Sequence, residues 1–165
     1  LGAIGKGWAL DTLAREIDMP PGTSFLFDFG GSSFLARGAP PHDGAWRVEV
    51  RRETDTTTAI VPLRDQALSV SGALGRVNRV GGRMRSHIID PRTGAPVEKL
   101  RFAIVRAEDA TSAEVLSTAF VVLDEGSARA LLDEVSAEAL VYSEDGVAWG
   151  VGALGRLNGH PVEKP

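Results

Sequence analysis

Three stretches of this 165-residue chain carry side chains whose types and spacing could do chemistry. The first is Gly2-Ala3-Ile4-Gly5-Lys6-Gly7, which places an ammonium in what reads as the first turn of a helix. Backbone N–H groups at a helix start, together with a cation, suit an anion such as a diphosphate. The spacing is not that of a P-loop, because Gly7 rather than Ser or Thr follows Lys6, and no strand precedes it as a dinucleotide fingerprint requires. The alternative is a solvated helix lysine behind a glycine-rich entry.

The second stretch is Ser86-His87-Ile88-Ile89-Asp90-Pro91-Arg92-Thr93-Gly94-Ala95-Pro96. An imidazole at a strand end, a carboxylate three residues on and a loop stiffened by two prolines would preorganise a polar site. Histidine is the usual proton carrier near neutral pH. The same residue types also make an ordinary turn, with His87 a hydrogen-bonded structural residue.

The third stretch places Glu114, Ser117 and Thr118 at i, i+3 and i+4, on one face of a helix. A carboxylate, two hydroxyls and a nearby backbone carbonyl would make a hard-oxygen site for Mg²⁺ when substrate phosphates complete its shell. Thr111-Ser112-Ala113-Glu114 also has the spacing of a capping box, in which Glu114 serves the helix start instead. Spacing alone favours the cap.

Positioning these residues calls for both helices and strands. A helix is expected over 5–17, with Ile4, Trp8, Leu13 and Ile17 as its apolar positions and Pro20-Pro21-Gly22 ending it. Strands are expected at 24–29, 34–36, 46–51, 58–63, 67–70 and 102–105. One hairpin would join 76–80 to 83–87 through Gly81-Gly82, and another 138–143 to 147–151 through Asp145-Gly146. Helices follow from 111, with Val115, Leu116, Ala119, Phe120 and Leu123 inward, and over 127–135. This is an α+β pattern: a mostly antiparallel sheet, an N-terminal helix, and two packed helices between late strands. The Gly-Ala-Leu-Gly-Arg pentads at 72–76 and 152–156 have unrelated flanks and mark no repeat.

Composition narrows the chemistry. Without cysteine there is no disulfide, thiolate metal site or Cys nucleophile, and three histidines scattered at 42, 87 and 160 disfavour zinc. No nucleophile elbow supports a serine hydrolase. A net charge of −4, without interleaved basic and aromatic residues, argues against nucleic acid as a partner. No apolar run is long enough for a transmembrane segment. Glycine, 19 of 165 residues, is about 11.5% against roughly 7% in average proteins.

Five colinear runs resemble the C-terminal half of the FAD:protein FMN transferases, the ApbE family of flavin transferases. They are residues 1–11, Phe29-Gly30-Gly31, Ser69-Val70-Ser71-Gly72, residues 87–96 and residues 112–123. The His-Ile-Ile-Asp-Pro-x-Thr-Gly-x-Pro run is the most specific. The resemblance implies an ApbE-like fold over 1–157, followed by a tail at 158–165. It implies Mg²⁺-dependent transfer of FMN from FAD onto a Thr or Ser hydroxyl of a target flavoprotein, with release of AMP. It further implies that the Mg²⁺ takes the Ala3 carbonyl, Glu114 and Thr118, with Ser117 adjacent. Lys6 and Ile88 would lie along the FAD, with His87 and Asp90 nearest the chemistry and His87 in or near the role of base. Work in the cell envelope is expected by the same analogy.

The chain departs from the family at three places. Glu114 stands where the family typically holds Asp, and Ser71-Gly72-Ala73-Leu74 replaces a Ser-Gly-Asp-Tyr-like run. The chain opens on Leu1 rather than Met, so a longer protein is expected, with an exposed apolar seam where its other half docks. Hydrolysis of the FAD diphosphate to FMN and AMP, and a non-catalytic flavin-binding or assembly module, are the alternative readings.

Overall fold

The computed structural model describes residues 2–51, 58–73, 78–80, 83–97, 101–143 and 146–154. The chain opens with helix α1 (Gly5–Glu16), which leads into strands β1 (Phe25–Phe29) and β2 (Ser33–Arg37). A hairpin of β3 (Trp46–Arg51) and β4 (Thr58–Leu63) follows, then β5 (Ala67–Gly72). Short strands β6 (Asn78–Val80) and β7 (Arg83–Arg85) pair, as do β8 (Ile89–Asp90) and β9 (Ala95–Pro96). Strand β10 (Phe102–Ala107), helices α2 (Ala110–Val122) and α3 (Glu125–Glu134), and strands β11 (Ala137–Ser143) and β12 (Gly146–Val151) complete the order.

The expected α+β architecture is present. Six strands form one sheet in the order β1-β2-β5-β10-β11-β12, and every neighbouring pair in it is antiparallel. Alternation along the strands assigns its two faces. Leu68, Ile104, Leu140 and Tyr142 pack on one side with Val48, Val50, Val61 and Leu63 of the β3–β4 hairpin. The alternation of Trp46-Arg47-Val48-Glu49-Val50-Arg51 is therefore the half-buried pattern its sequence predicts. Arg106 ties the two layers: its guanidinium donates to the Pro62 carbonyl at 3.0 Å and to Glu138 Oε2 at 2.5 Å. On the opposite face Ala103, Val105, Ala139 and Val141 meet Leu116, Phe120 and Val121 of α2.

Three sequence expectations need correction. Helix α1 has nearly the expected span, but the expected apolar positions Ile4, Trp8, Leu13 and Ile17 are all exposed, Trp8 at 60%. Its buried face is Gly7, Leu10 and Asp11. That face is narrow because α1 lies directly on the first turn of α2, and a bulky apolar stripe would hold the backbones apart. The capping box is the second correction. Helix α2 starts one residue before Thr111, and its N-cap is Asp109, whose side chain accepts from Ser112 N at 2.7 Å. Val115, expected inward, is exposed at 40%.

The close approach of α1 to α2 rests on Gly7. A Cβ at that position would fall inside the van der Waals envelope of the Ala110 carbonyl and the Thr111 Cα, both backbone atoms that cannot swing aside. Gly7→Ala is therefore expected to destabilise the fold by about 1–3 kcal/mol, although alanine is the better helix former. A urea titration of both proteins measures it, and an unchanged or higher midpoint would contradict the close contact.

Candidate functional site

Each of these two helices supplies the carboxylate that satisfies the other's N-terminus. The first N–H groups of a helix have no partner within it. Ile4, the N-cap residue of α1, offers no side-chain acceptor. Glu114 of α2 fills that role: its Oε2 accepts from Gly7 N in the first turn of α1. In return Asp11 of α1 accepts from Ala110 N at 2.9 Å, Thr111 N at 2.8 Å and Thr111 Oγ1 at 2.5 Å. Both carboxylates are buried, Glu114 to 1% exposure. A buried charge is tolerated only when paired and hydrogen-bonded. Lys6 completes the pairing, its Nζ lying 2.6 Å from Glu114 Oε1 while its side chain stays one-third exposed.

One helical turn along, hydroxyls converge between α2 and β5. Ser117 Oγ donates to the Glu114 carbonyl at 3.0 Å and lies 3.0 Å from Ser69 Oγ and 2.8 Å from Ser71 Oγ. Ser117 has its one proton on the Glu114 carbonyl, and Ser69 Oγ also donates to the Ser32 carbonyl at 3.4 Å. Ser71 Oγ also lies 3.2 Å from Thr118 Oγ1. Ser117 is fully buried and Thr118 half-buried. Alternation along Ala67-Leu68-Ser69-Val70-Ser71 turns the two serines, not the leucine and valine, toward α2.

The side chains gathered here are oxygen donors, the type a hard cation takes. Among the described residues no group of three or more His, Cys, Asp or Glu side chains converges, which leaves one carboxylate with hydroxyl and carbonyl oxygens. Such a donor set suits Mg²⁺, which keeps much of its shell for water and substrate phosphates. Glu114 Oε1 already has a cationic partner in the Lys6 ammonium.

Farther along the chain, Asp90 packs toward the other end of α2. Strand β7 ends at Arg85, so His87 sits in an exposed bend rather than at the strand end expected. Ile88 is half-buried against the α2 cluster, and its carbonyl accepts from Val97 N at 2.9 Å. Asp90 folds the loop: Oδ1 accepts from Arg92 N at 2.9 Å and Nε at 3.0 Å, and Oδ2 from Nη2 at 2.8 Å. Gly94, at φ +68°, closes the turn. Asp90 and Arg92 line a cavity of about 470 Å³ with Val121 and Val122 at the far end of α2. Eight helical residues separate Glu114 from Val122, a rise of about 12 Å.

Lys6, Glu114, Ser117 and Thr118 thus form one connected network, with Ala3 in the turn leading into it, while Asp90 belongs to the other end of α2. Asp11, Ser69 and Ser71 received no role from the sequence. Asp11 was detectable, because Gly7, Leu10, Asp11 and Ala14 follow the i, i+3, i+4, i+7 pattern of a buried face, and an acid within it needs donors.

Arg92 holds the Asp90 carboxyl below its ordinary range, first through the side-chain hydrogen bonds and then through the backbone N–H. A carboxyl lowered by folding stabilises the fold above its unfolded pKa and loses that contribution as pH falls through the folded value. The melting-temperature gap between the wild type and Asp90→Asn should be constant from about pH 6 to 8 and narrow below about pH 4. A gap independent of pH throughout would contradict the ion pair.

The chain is similar to known proteins in sequence and in fold. A profile described as the ApbE family matches residues 1–141. The chain is 32% identical over 138 residues to the FAD:protein FMN transferase of Klebsiella pneumoniae, covering 81% of this chain and 39% of the relative. It is 29% identical over 150 residues to that of Escherichia coli K12, covering 88% and 42%. The crystal structure of Pseudomonas stutzeri flavinyl transferase ApbE in its apo form superposes with a TM-score of 0.73 at 27% identity. That likeness covers 97% of this chain and 51% of the other, so the chain spans about half the length of these proteins or less. By sequence and by fold, this chain belongs to the ApbE family.

Proposed function

We propose that the chain carries the FAD-diphosphate site of a Mg²⁺-dependent FAD:protein FMN transferase. The reaction moves FMN from FAD to a Thr or Ser hydroxyl of a target flavoprotein and releases AMP, in the cell envelope by family analogy. The observation that carries this reading is the buried Glu114 carboxylate joined to Lys6 at the first turn of α1. It brings a hard anionic oxygen, an ammonium and a helix N-terminus to one place, which a cation-bound diphosphate requires. Glu114, Thr118 and the Ala3 carbonyl would hold Mg²⁺, with Ser117 adjacent, and the bound ion would neutralise charge developing on the diphosphate.

The chain's own groups divide the remaining work. Lys6 and the N–H groups opening α1 orient the diphosphate, with Ile88 against the rest of the FAD. Ser69 and Ser71 fix Ser117 and Thr118 through their hydroxyls, so that α2 presents one arrangement of oxygens. The acceptor oxygen attacks the phosphorus of the FMN half. The bond from that phosphorus to the bridging oxygen breaks, and AMP leaves with that oxygen. His87, exposed in its bend, takes the acceptor proton, and Asp90 with Arg92 keeps the following loop rigid.

A second reading, a non-catalytic flavin-binding module, draws on two observations. Both Glu114 oxygens already have partners within the chain, and Ala73 is fully buried in the run where the family carries an acid. Intact mass of an acceptor peptide incubated with the intact protein, FAD and Mg²⁺ separates the readings. An FMN adduct is expected, with His87→Ala lowering its rate by about 10²- to 10⁴-fold. Free FMN without adduct would mean hydrolysis. FAD bound but unchanged would mean the module.

A further inference from the structure

The two oxygens of Glu114 are not equivalent. Oε2 is held by the backbone N–H of Gly7 at the buried contact between α1 and α2, and it cannot leave without opening that contact. Oε1 is held by Lys6, the tip of a long side chain that is one-third exposed. A cation reaching this carboxylate meets Oε1 on its more accessible side, where it competes with the ammonium for the same charge. An ammonium displaced from this carboxylate can turn to water or to a nearby anion, and its tether at the second residue of α1 keeps it beside the helix start.

We propose that Lys6 is an exchangeable counter-ion: it neutralises Glu114 until a divalent cation arrives, and is then released toward the diphosphate. The inference rests on the flavin-transferase reading and adds to it a positioning role for Lys6. Binding of the cation and grip on the anion become one coupled event, because a single ammonium serves the two anions in turn. The carboxylate is never left buried without a positive partner, which would be strongly destabilising. The longer Glu114 side chain suits the exchange, since it reaches both the Gly7 N–H and the Lys6 ammonium.

Two measurements test this, neither of which needs turnover. The first is the acylation rate of Lys6 in the intact protein, followed by peptide mass spectrometry with and without Mg²⁺. Release predicts a severalfold rise on adding Mg²⁺, with other lysines unchanged; a rate unmoved while the cation is bound would overturn the exchange. The second is Mn²⁺ affinity from paramagnetic titration of the wild type, Lys6→Met, Lys6→Arg and Glu114→Gln. Removing the competing ammonium should tighten Mn²⁺ binding about tenfold or more in Lys6→Met, and Lys6→Arg should return toward wild type. Equal affinity in wild type and Lys6→Met, lost in Glu114→Gln, would keep the cation site and overturn the exchange. No Mn²⁺ binding by any of them would overturn both.

Discussion

The reciprocal contact between α1 and α2 is the constraint on which the rest of the molecule depends. Each helix begins where the other offers an acid: Asp11 satisfies the first N–H groups of α2, and Glu114 that of Gly7 in α1. Buried charges that satisfy backbone donors across two elements fix their relative register more tightly than apolar packing does, because no neighbouring register keeps every group paired. The cost is a narrow interface. Gly7 lies against the Ala110 and Thr111 backbone, and the small residues Ala110 and Ala113 let α2 sit close to the sheet and to α1 at once.

From that contact the layers follow. Helix α2 spreads its apolar face over β10 and β11, and its hydroxyl-bearing turn faces the serines of β5. The β3–β4 hairpin closes the opposite face, so the six-stranded sheet is covered on both sides. Apolar surface is left on the outer flanks of α1 and on β1, where Trp8, Leu13, Ile17 and Phe29 are exposed. A groove of about 360 Å³ runs there between Leu13 and Phe27.

The sequence was most informative where a pattern reports a single neighbour. Alternation located β3, and the turn residues located the hairpins, since each depends on local backbone geometry. It misled where two elements share a contact. Trp8 and Leu13 read as core because they are large and apolar, but the tight crossing at Gly7 selects small side chains for the buried face. Glu114 read as its own helix's cap, because a capping box is a local signal and Asp11 stands about a hundred residues away in the chain. The turn at residues 90–97 was legible from Asp-Pro and Thr-Gly; the bidentate hold of Arg92 on Asp90 was not, since spacing alone does not choose among an acid's neighbours. The Gly81-Gly82 and Asp145 turns and the tail at 158–165 lie outside the described residues.

The central claim is that the junction of α1 and α2 is where a divalent cation and a diphosphate meet. Anomalous diffraction from crystals of the intact protein grown with Mn²⁺ and FAD tests it most directly. The account predicts an anomalous peak beside Glu114 Oε1 and Thr118, with Lys6 Nζ moved from the carboxylate to the diphosphate and Gly7 N still on Oε2. A peak at any other place, or Lys6 still on Glu114 beside a bound Mn²⁺, would contradict it.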